Sequence, residues 1–198
     1  MTDGATAQTM SAAEYLEWER EQIDKHEFHH GEVFAMAGGS PRHNRLAARL
    51  LIQLSAATAE KGCEPQTSDQ KIAAEPLKRY VYPDVVLICG PFQSEAGARD
   101  VLTNPAIVVE VLSASTETYD RGMKWRAYQS LASLTDYLLV SQRDPFIEHY
   151  RREADGSWRY SVYGAGDTIT LANQAQLAVD PIYQGVFELD GDSPEPSK

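Results

Sequence analysis

Hydrophobic positions along the chain follow a helical period in three stretches. Leucines at every fourth position behind a Ser-Pro start predict a helix from residue 41 to about Gly62. A capping-box pattern predicts an earlier helix over residues 12–23. An apolar stripe at the same spacing predicts a later helix over residues 119–131.

Other stretches follow the pattern of strands. The runs V-V-L-I-C and I-V-V-E-V-L are almost continuously aliphatic, as in strands that are covered on both faces, so they belong in the centre of a sheet. The order of elements predicts an α/β (α+β) fold, with a mixed β-sheet flanked by helices and an added antiparallel hairpin. We expect a strand or a hairpin at 27–37, strands at 69–75, 81–89, 106–112 and 136–141, and the added hairpin on either side of the turn at 154–157.

The 198 residues suit one domain, which we place at residues 11–190. Polar ends without apolar periodicity predict disordered fringes at 1–10 and 191–198. The chain has no apolar run long enough for a membrane span and no secretory leader, so we expect a cytoplasmic protein with no membrane partner. Cys63 and Cys89 are expected to be partly buried thiols rather than a disulfide framework or a zinc cluster.

Two carboxylates interrupt the most apolar strands. Asp84 lies in Y-P-D-V-V-L-I, and Glu110 lies in I-V-V-E-V-L-S. An ionised carboxylate is costly to bury unless it is paired, hydrogen-bonded or bound to a metal. A shared divalent cation explains both residues, and hard oxygen ligands favour Mg²⁺ (or Mn²⁺). The alternative is that an arginine or backbone N–H groups hold each carboxylate.

Short motifs around these carboxylates match a known family pattern. The central ones are Pro83-Asp84, Glu110-Val111-Leu112-Ser113, and Asp120 with Lys124 and Tyr128. Further segments are H-G-E-V-F-A-M-A from His30, Arg42-His43-Asn44, S-D-Q-K-I from Ser68, and the strand Tyr137 to Val140. With them, the chain from about residue 15 to 190 resembles the Uma2 family of the PD-(D/E)XK restriction-endonuclease-like superfamily.

The resemblance implies a metal-dependent nuclease core in which Asp84 and Glu110 bind the ion and a lysine orients or activates the attacking water. The chain departs from the superfamily motif, because Leu112 stands where the motif expects lysine. Lys124 is the first candidate for a migrated lysine, and Lys71 is the second. Alternatively, Lys124 forms an ordinary exposed ion pair with Asp120 four residues earlier on the same helix.

The resemblance also implies further site residues. Glu32, in the family's G-E, would complete the acidic catalytic cluster, although it could be a solvated strand position. His43, in a helix first turn, could contact a phosphate or carry a proton, or be a partly buried polar residue. Ser113 could donate to a phosphate or only shape its loop. The expected substrate contacts are His43, Arg42, Lys71, Ser113 and Arg121.

The net charge of −11 disfavours nonspecific attraction to nucleic acid, but basic residues are clustered, so a locally basic cleft is possible. Our first hypothesis is a Mg²⁺-dependent endonuclease that hydrolyses DNA, with RNA left open. The second is a degenerate module that binds nucleic acid or a protein partner. The third is a carboxylate-pair hydrolase with another substrate. By resemblance we also expect a homodimer, for which an edge strand near 147–151 could serve.

Overall fold

The computed structural model describes residues 9–74 and 79–188. In chain order the first half contains α1 (Ala12–Glu19), β1 (His26–His29), β2 (Glu32–Ala35), α2 (Pro41–Thr58), β3 (Cys63–Thr67), β4 (Lys71–Ala74), β5 (Arg79–Val81), β6 (Val85–Cys89), β7 (Ser94–Glu95) and β8 (Ala98–Leu102). The second half contains β9 (Pro105–Val111), α3 (Glu117–Tyr119), a π-helical turn (Asp120–Lys124), α4 (Trp125–Gln129), β10 (Asp136–Val140), β11 (Phe146–Arg152), β12 (Trp158–Gly164), β13 (Thr168–Thr170), β14 (Gln176–Ala178) and α5 (Val179–Tyr183).

The described strands form two six-stranded sheets and a short ribbon of β13 and β14. The first sheet has the order β2-β1-β5-β4-β8-β7, and the second has the order β12-β11-β10-β9-β6-β3. In the second sheet β9 and β10 are parallel, and the helical segment from α3 to α4 connects them. The predicted mixed α+β fold with an added antiparallel hairpin is confirmed, with two large sheets where we expected one.

Both faces of the second sheet are buried, as the continuous aliphatic runs predict. On one face the α2 leucines at 46, 50 and 54 pack against Val85, Leu87 and Val109. On the other face Val86 and Val108 pack with Tyr128 and Tyr137. β6 and β9 are therefore held rigidly from both sides, which fixes the positions of the residues at their ends.

The predicted strand over 81–89 is interrupted. β5 belongs to the first sheet and β6 to the second, and Tyr82, Pro83 and Asp84 connect them. Proline lacks the N–H that a central strand position requires, so the chain leaves one ladder here and joins the other. Asp84 consequently lies where the two sheets meet.

The prediction that Cys63 and Cys89 remain thiols is wrong. They form a disulfide with a Cα–Cα distance of 3.9 Å. The two residues are directly opposite each other in the antiparallel β3–β6 pair, which brings their side chains together. The two cysteines are 26 residues apart in the sequence, so local patterns do not indicate that they pair.

The edge strand that we expected near 147–151 is also misplaced. These residues belong to β11, which pairs with β10 on one side and β12 on the other, so β12 is the edge strand.

Most of the predicted N-terminal fringe and all of the predicted C-terminal tail lie outside the described residues. Of the fringe, Met10 is described, and its N–H donates to Gly31 O at 2.9 Å. In the described part of the chain, no helix is both long and apolar enough to span a membrane.

Candidate active site

Asp84 and Glu110 are brought together by the pairing of β6 with β9. Val85 is opposite Val109 in this antiparallel pair, and continuing the register by one residue places Asp84 opposite Glu110. The backbone N–H of Val111 donates to Asp84 Oδ2 at 2.7 Å. Glu110 is only 2% exposed, whereas the side chain of Asp84 is 16% exposed. The two carboxylates therefore belong to one site, with Glu110 at its buried side and Asp84 at its outer side.

The ammonium of Lys124 lies at the centre of this site. Its Nζ is 3.1 Å from Glu110 Oε1, 3.2 Å from Glu27 Oε1 and 3.6 Å from Asp120 Oδ1. The residue is 5% exposed. The alternative of an exposed ion pair with Asp120 is wrong, because the helical turn points this side chain inward between three carboxylates.

Glu27, on β1 of the first sheet, is a site residue that the sequence analysis missed. The Tyr82 N–H donates to its Oε1 at 3.1 Å, and the Tyr119 hydroxyl donates to its Oε2 at 2.9 Å. Burial acts to raise its pKa, but the Lys124 ammonium and the hydrogen bonds, including one from His29, together lower the pKa to about 2. The strand itself, His-Glu-Phe-His, is mostly polar, so Glu27 did not interrupt an apolar run as Asp84 and Glu110 do.

Tyrosine hydroxyls complete the polar contacts of the cluster. Tyr128 donates to Glu110 Oε1 at 2.9 Å, and Tyr137 donates to the backbone oxygen of Asp120 at 3.1 Å. Tyr119 also contacts the ring of His29 through its hydroxyl. Tyr128 and Tyr137 are themselves buried in the core, so the contact of Tyr128 holds the Glu110 carboxylate in place and that of Tyr137 holds the helical turn at Asp120.

The cluster contains more carboxyl groups than cationic side chains. Burial raises the pKa of Glu110 well above its usual value; Lys124 opposes this, while Asp120, Asp84 and Glu27 add to it. Burial would lower the pKa of Lys124, but Glu110 and Glu27 outweigh it and raise that pKa well above its usual value. Lys124 therefore stays protonated at neutral pH.

His43 adds an imidazole at the outer side of the site. It lies in the first turn of α2, which the Ser40 side chain caps by accepting from the His43 N–H. Its Nε2 is 3.1 Å from Asp84 Oδ2. Burial would lower the pKa of His43, and the hydrogen bond and charge of Asp84 outweigh burial, so the pKa is raised. His43 is thus placed to carry a proton beside Asp84.

The other residues predicted for the site lie further out. Glu32 is exposed on β2, opposite His29 in the strand register, and among the described contacts none links it to Lys124. Lys71 lies on β4 with its Nζ 3.8 Å from Asp100 Oδ2, and it packs over the ring of Tyr82. The structure thus brings Glu27 to the lysine, and leaves Glu32 and Lys71 outside the cluster.

The remaining predicted substrate contacts, Arg42, Arg121 and Ser113, bind other groups of the protein. Arg42 Nη1 donates to the backbone oxygen of Gln142 at 3.2 Å. Arg121 Nε donates to Glu117 Oε1 at 3.0 Å. The Ser113 hydroxyl accepts from the Thr116 N–H at 3.2 Å, which supports its role in shaping the loop before α3.

A sequence comparison identifies the family of this chain. The model of the family named Uma2 and described as "Putative restriction endonuclease" matches residues 12–180. The chain belongs to the Uma2 family. Two proteins of Synechocystis sp., both described as uncharacterized, are similar to it: slr1290 is 40% identical over 178 residues (89% of this chain and 93% of its own), and sll1609 is 34% identical over 154 residues (78% and 87%).

The fold of this Uma2 protein also matches a solved structure. A crystal structure described as a putative nuclease belonging to DUF820, from Anabaena variabilis, superposes with a TM-score of 0.73, covering 89% of this chain and 99% of that one. Sequence identity is 11%, so the likeness shows a shared nuclease-like fold. The predicted family and the predicted fold are both confirmed.

The carboxylate oxygens of this site are the kind of ligand that a divalent cation binds. Among the described residues, no group of three or more His, Cys, Asp or Glu side chains is arranged to hold a metal ion. Mg²⁺, however, is usually bound through one or two carboxylates and several waters. Asp84 and Glu110 supply such a pair, and Asp120 Oδ1 is a buried oxygen without a hydrogen bond among the described groups. Asp84 and Glu110 are therefore the residues that would hold such an ion.

Proposed function

We propose that this Uma2 protein is a metal-dependent endonuclease that hydrolyses phosphodiester bonds in DNA at Asp84 and Glu110. The observation that carries the proposal is the position of Lys124, whose ammonium is 3.1 Å from Glu110 Oε1. A lysine beside the second carboxylate is what the superfamily motif requires, and residue 112 is leucine. The helical turn supplies the amine that the strand lacks.

Asp84 and Glu110 would hold the ion, which we take to be Mg²⁺ or Mn²⁺. When bound, the ion polarises a phosphoryl oxygen and makes a coordinated water a better nucleophile at neutral pH. The excess of carboxylates over cationic side chains supports this assignment, because a cation at this point reduces the repulsion among Glu27, Asp84, Glu110 and Asp120.

Lys124 acts as a fixed positive charge. Because its pKa is raised, it remains protonated and does not take the proton from the attacking water. Its positive charge instead stabilises the negative charge that develops on the phosphate. Glu27 orients this ammonium from the first sheet through the 3.2 Å contact. In this role Glu27 replaces the Glu32 that the resemblance suggested.

His43 serves the outer side of the site. Its imidazole is held by Asp84, and it is partly exposed, so it can donate to a phosphate of the substrate strand. Arg42 and Arg121 stay predicted contacts of neighbouring phosphates, and Arg121 would have to exchange its ion pairs with Glu117 and Glu148 for such a contact. A homodimer stays a prediction from the resemblance.

The test is cleavage of labelled DNA and RNA with Mg²⁺ or Mn²⁺ at low salt, comparing the native protein with Asp84→Asn and Glu110→Gln. We expect each substitution, and chelation of the metal, to lower cleavage about a hundredfold or more. Glu64→Gln, an exposed carboxylate on β3, is the matched control and should cleave normally. Cleavage that persists in Asp84→Asn and Glu110→Gln would contradict the proposal.

A second candidate function is a noncatalytic module that keeps the nuclease fold to bind nucleic acid or a protein. It is favoured by the Lys124 ammonium, which pairs with Glu110, one of the two carboxylates that would hold the ion. A native protein that binds DNA but shows no metal-dependent cleavage would support this candidate over the endonuclease.

A further inference from the structure

A half-exposed aromatic ring lies beside the carboxylate cluster. Phe34 is 45% exposed on β2 and is directly opposite Glu27 in the β1–β2 register. Side chains of directly opposed residues in an antiparallel pair share a face, with Cβ atoms about 4.5–5.5 Å apart. Phe34 therefore projects from the face that carries Glu27, and its ring centroid is 5.3 Å from that of His29.

Core packing does not account for this ring. The neighbouring Val33 points to the other face of the strand, where it packs against the core cluster of Tyr15, Phe28 and Tyr80. Phe34 belongs to none of the described core clusters. A single exposed phenylalanine is common on protein surfaces. Phe34 differs because it lies opposite Glu27, which contacts Lys124.

The reacting groups of the cluster are recessed below the surface. Glu110 and Lys124 are almost fully buried, whereas the side chains of Asp84 and His43 are 16% and 17% exposed. A phosphodiester reaches recessed groups more readily in an unpaired strand than in a duplex whose bases remain stacked and paired.

We infer that the site takes an unpaired nucleic-acid strand and that Phe34 is the platform on which one of its bases stacks. The inference rests on the proposed function, because a phosphodiester held at Asp84 and Glu110 brings the adjacent bases toward β2. Every base has a π-face, so stacking on a phenyl ring favours unpaired bases with little dependence on sequence. The substrate class is therefore single-stranded nucleic acid.

The test measures binding without cleavage. A fluorescein-labelled single-stranded dodecamer of oligodeoxythymidylate, and its duplex with oligodeoxyadenylate, are titrated with protein at low salt with Ca²⁺ in place of Mg²⁺ or Mn²⁺, and anisotropy is recorded. We expect the native protein to bind the single strand more tightly than the duplex. Phe34→Leu should weaken single-strand binding about tenfold or more, and Phe34→Trp should restore it. Phe92→Leu, which removes a 48% exposed ring beyond the other end of β6, is the matched control and should bind normally.

Binding of the single strand by Phe34→Leu within twofold of native, tighter binding of the duplex, or no binding of either probe would overturn the inference. The inference and the proposed function fail in different ways. If Asp84→Asn abolishes cleavage but Phe34→Leu binds like the native protein, the stacking platform is wrong and the endonuclease stands. If the native protein does not cleave but its binding depends on Phe34, the platform stands and the endonuclease is wrong.

Discussion

At the scale of single residues, the site depends on one buried cation among several carboxylates. Lys124 contacts Glu27, Glu110 and Asp120 at 3.1–3.6 Å. Charges of this kind are expensive to bury, and they are tolerated because each has a partner. Replacing the cation therefore has consequences for stability as well as for activity.

We expect Lys124→Met to destabilise the protein by about 3–5 kcal/mol, because it leaves buried carboxylates without a cation. Adding Glu110→Gln should recover part of this loss, since the double variant removes one charge of each sign. Urea unfolding of the native protein, the two single variants and the double variant gives the coupling energy. Strictly additive effects would show that Lys124 and Glu110 do not interact.

Glu27 should make stability depend on pH. Its pKa is lowered to about 2, so its contribution is fully present above the ordinary glutamate pKa of about 4.5 and is lost as the pH falls toward 2. The shift corresponds to about 3 kcal/mol. The difference in unfolding free energy between native protein and Glu27→Gln should be largest at neutral pH and disappear near pH 2.

Urea titrations between pH 7 and pH 2 measure this difference. Glu17→Gln, an exposed carboxylate on α1, is the control and should show little difference from native at any pH. A Glu27→Gln difference that stays constant from pH 5 to pH 2 would contradict the assignment.

At the scale of elements, strand pairing decides which residues meet. β6 joins β9 on one side and β3 on the other. The first pair sets Asp84 opposite Glu110, and the second sets Cys63 opposite Cys89 at the far end of the same strand. The disulfide thus fixes β3 to the strand that leads from Asp84.

Reduction of this disulfide should lower the free energy of unfolding by about 3 kcal/mol, because the bond closes a loop with a sequence separation of 26 residues and so restricts the unfolded chain. The measurement is thermal or urea unfolding with and without reductant, with Cys63→Ser/Cys89→Ser as a variant that should not respond to reductant. Equal stability of the native protein in both conditions would contradict a formed disulfide.

At the scale of the whole molecule, the site lies where the two sheets meet. Glu27 comes from the first sheet, Asp84 and Glu110 come from the second sheet and its entry, and Lys124 comes from the helical crossover. An ion bound here would contact groups that come together only in the folded protein, so its binding should stabilise the fold.

We expect Mg²⁺ or Mn²⁺ at a hundredfold excess over its Kd to raise the Tm of the native protein by about 5–10 °C. Asp84→Asn and Glu110→Gln should lose this response, and Glu64→Gln should keep it. Differential scanning calorimetry with chelator as the reference measures the shift without requiring activity. An equal metal response in Asp84→Asn would place the ion elsewhere.

Much of the fold is determined by local patterns in the sequence. The helix of α2, the buried strands β6, β9 and β10, and the hairpin of β11 and β12 all lie where hydrophobic periodicity predicts them. The reason is that burial of one face or both faces of an element imposes a period on its own residues. Asp84 and Glu110 stood out for the same reason, because they interrupt this period.

Tertiary structure alone decided which side chains share the site. The sequence suggested Lys124 as one of two candidate lysines, and only the packing of the helical turn against both sheets buried it between Glu110 and Glu27. Glu27 could not be recognised from its own strand, because Lys124, Tyr82 and Tyr119 are distant from it in the chain. The same holds for the pairing of Cys63 with Cys89: local periodicity determines the elements, whereas contacts between them depend on the register and topology of the whole fold.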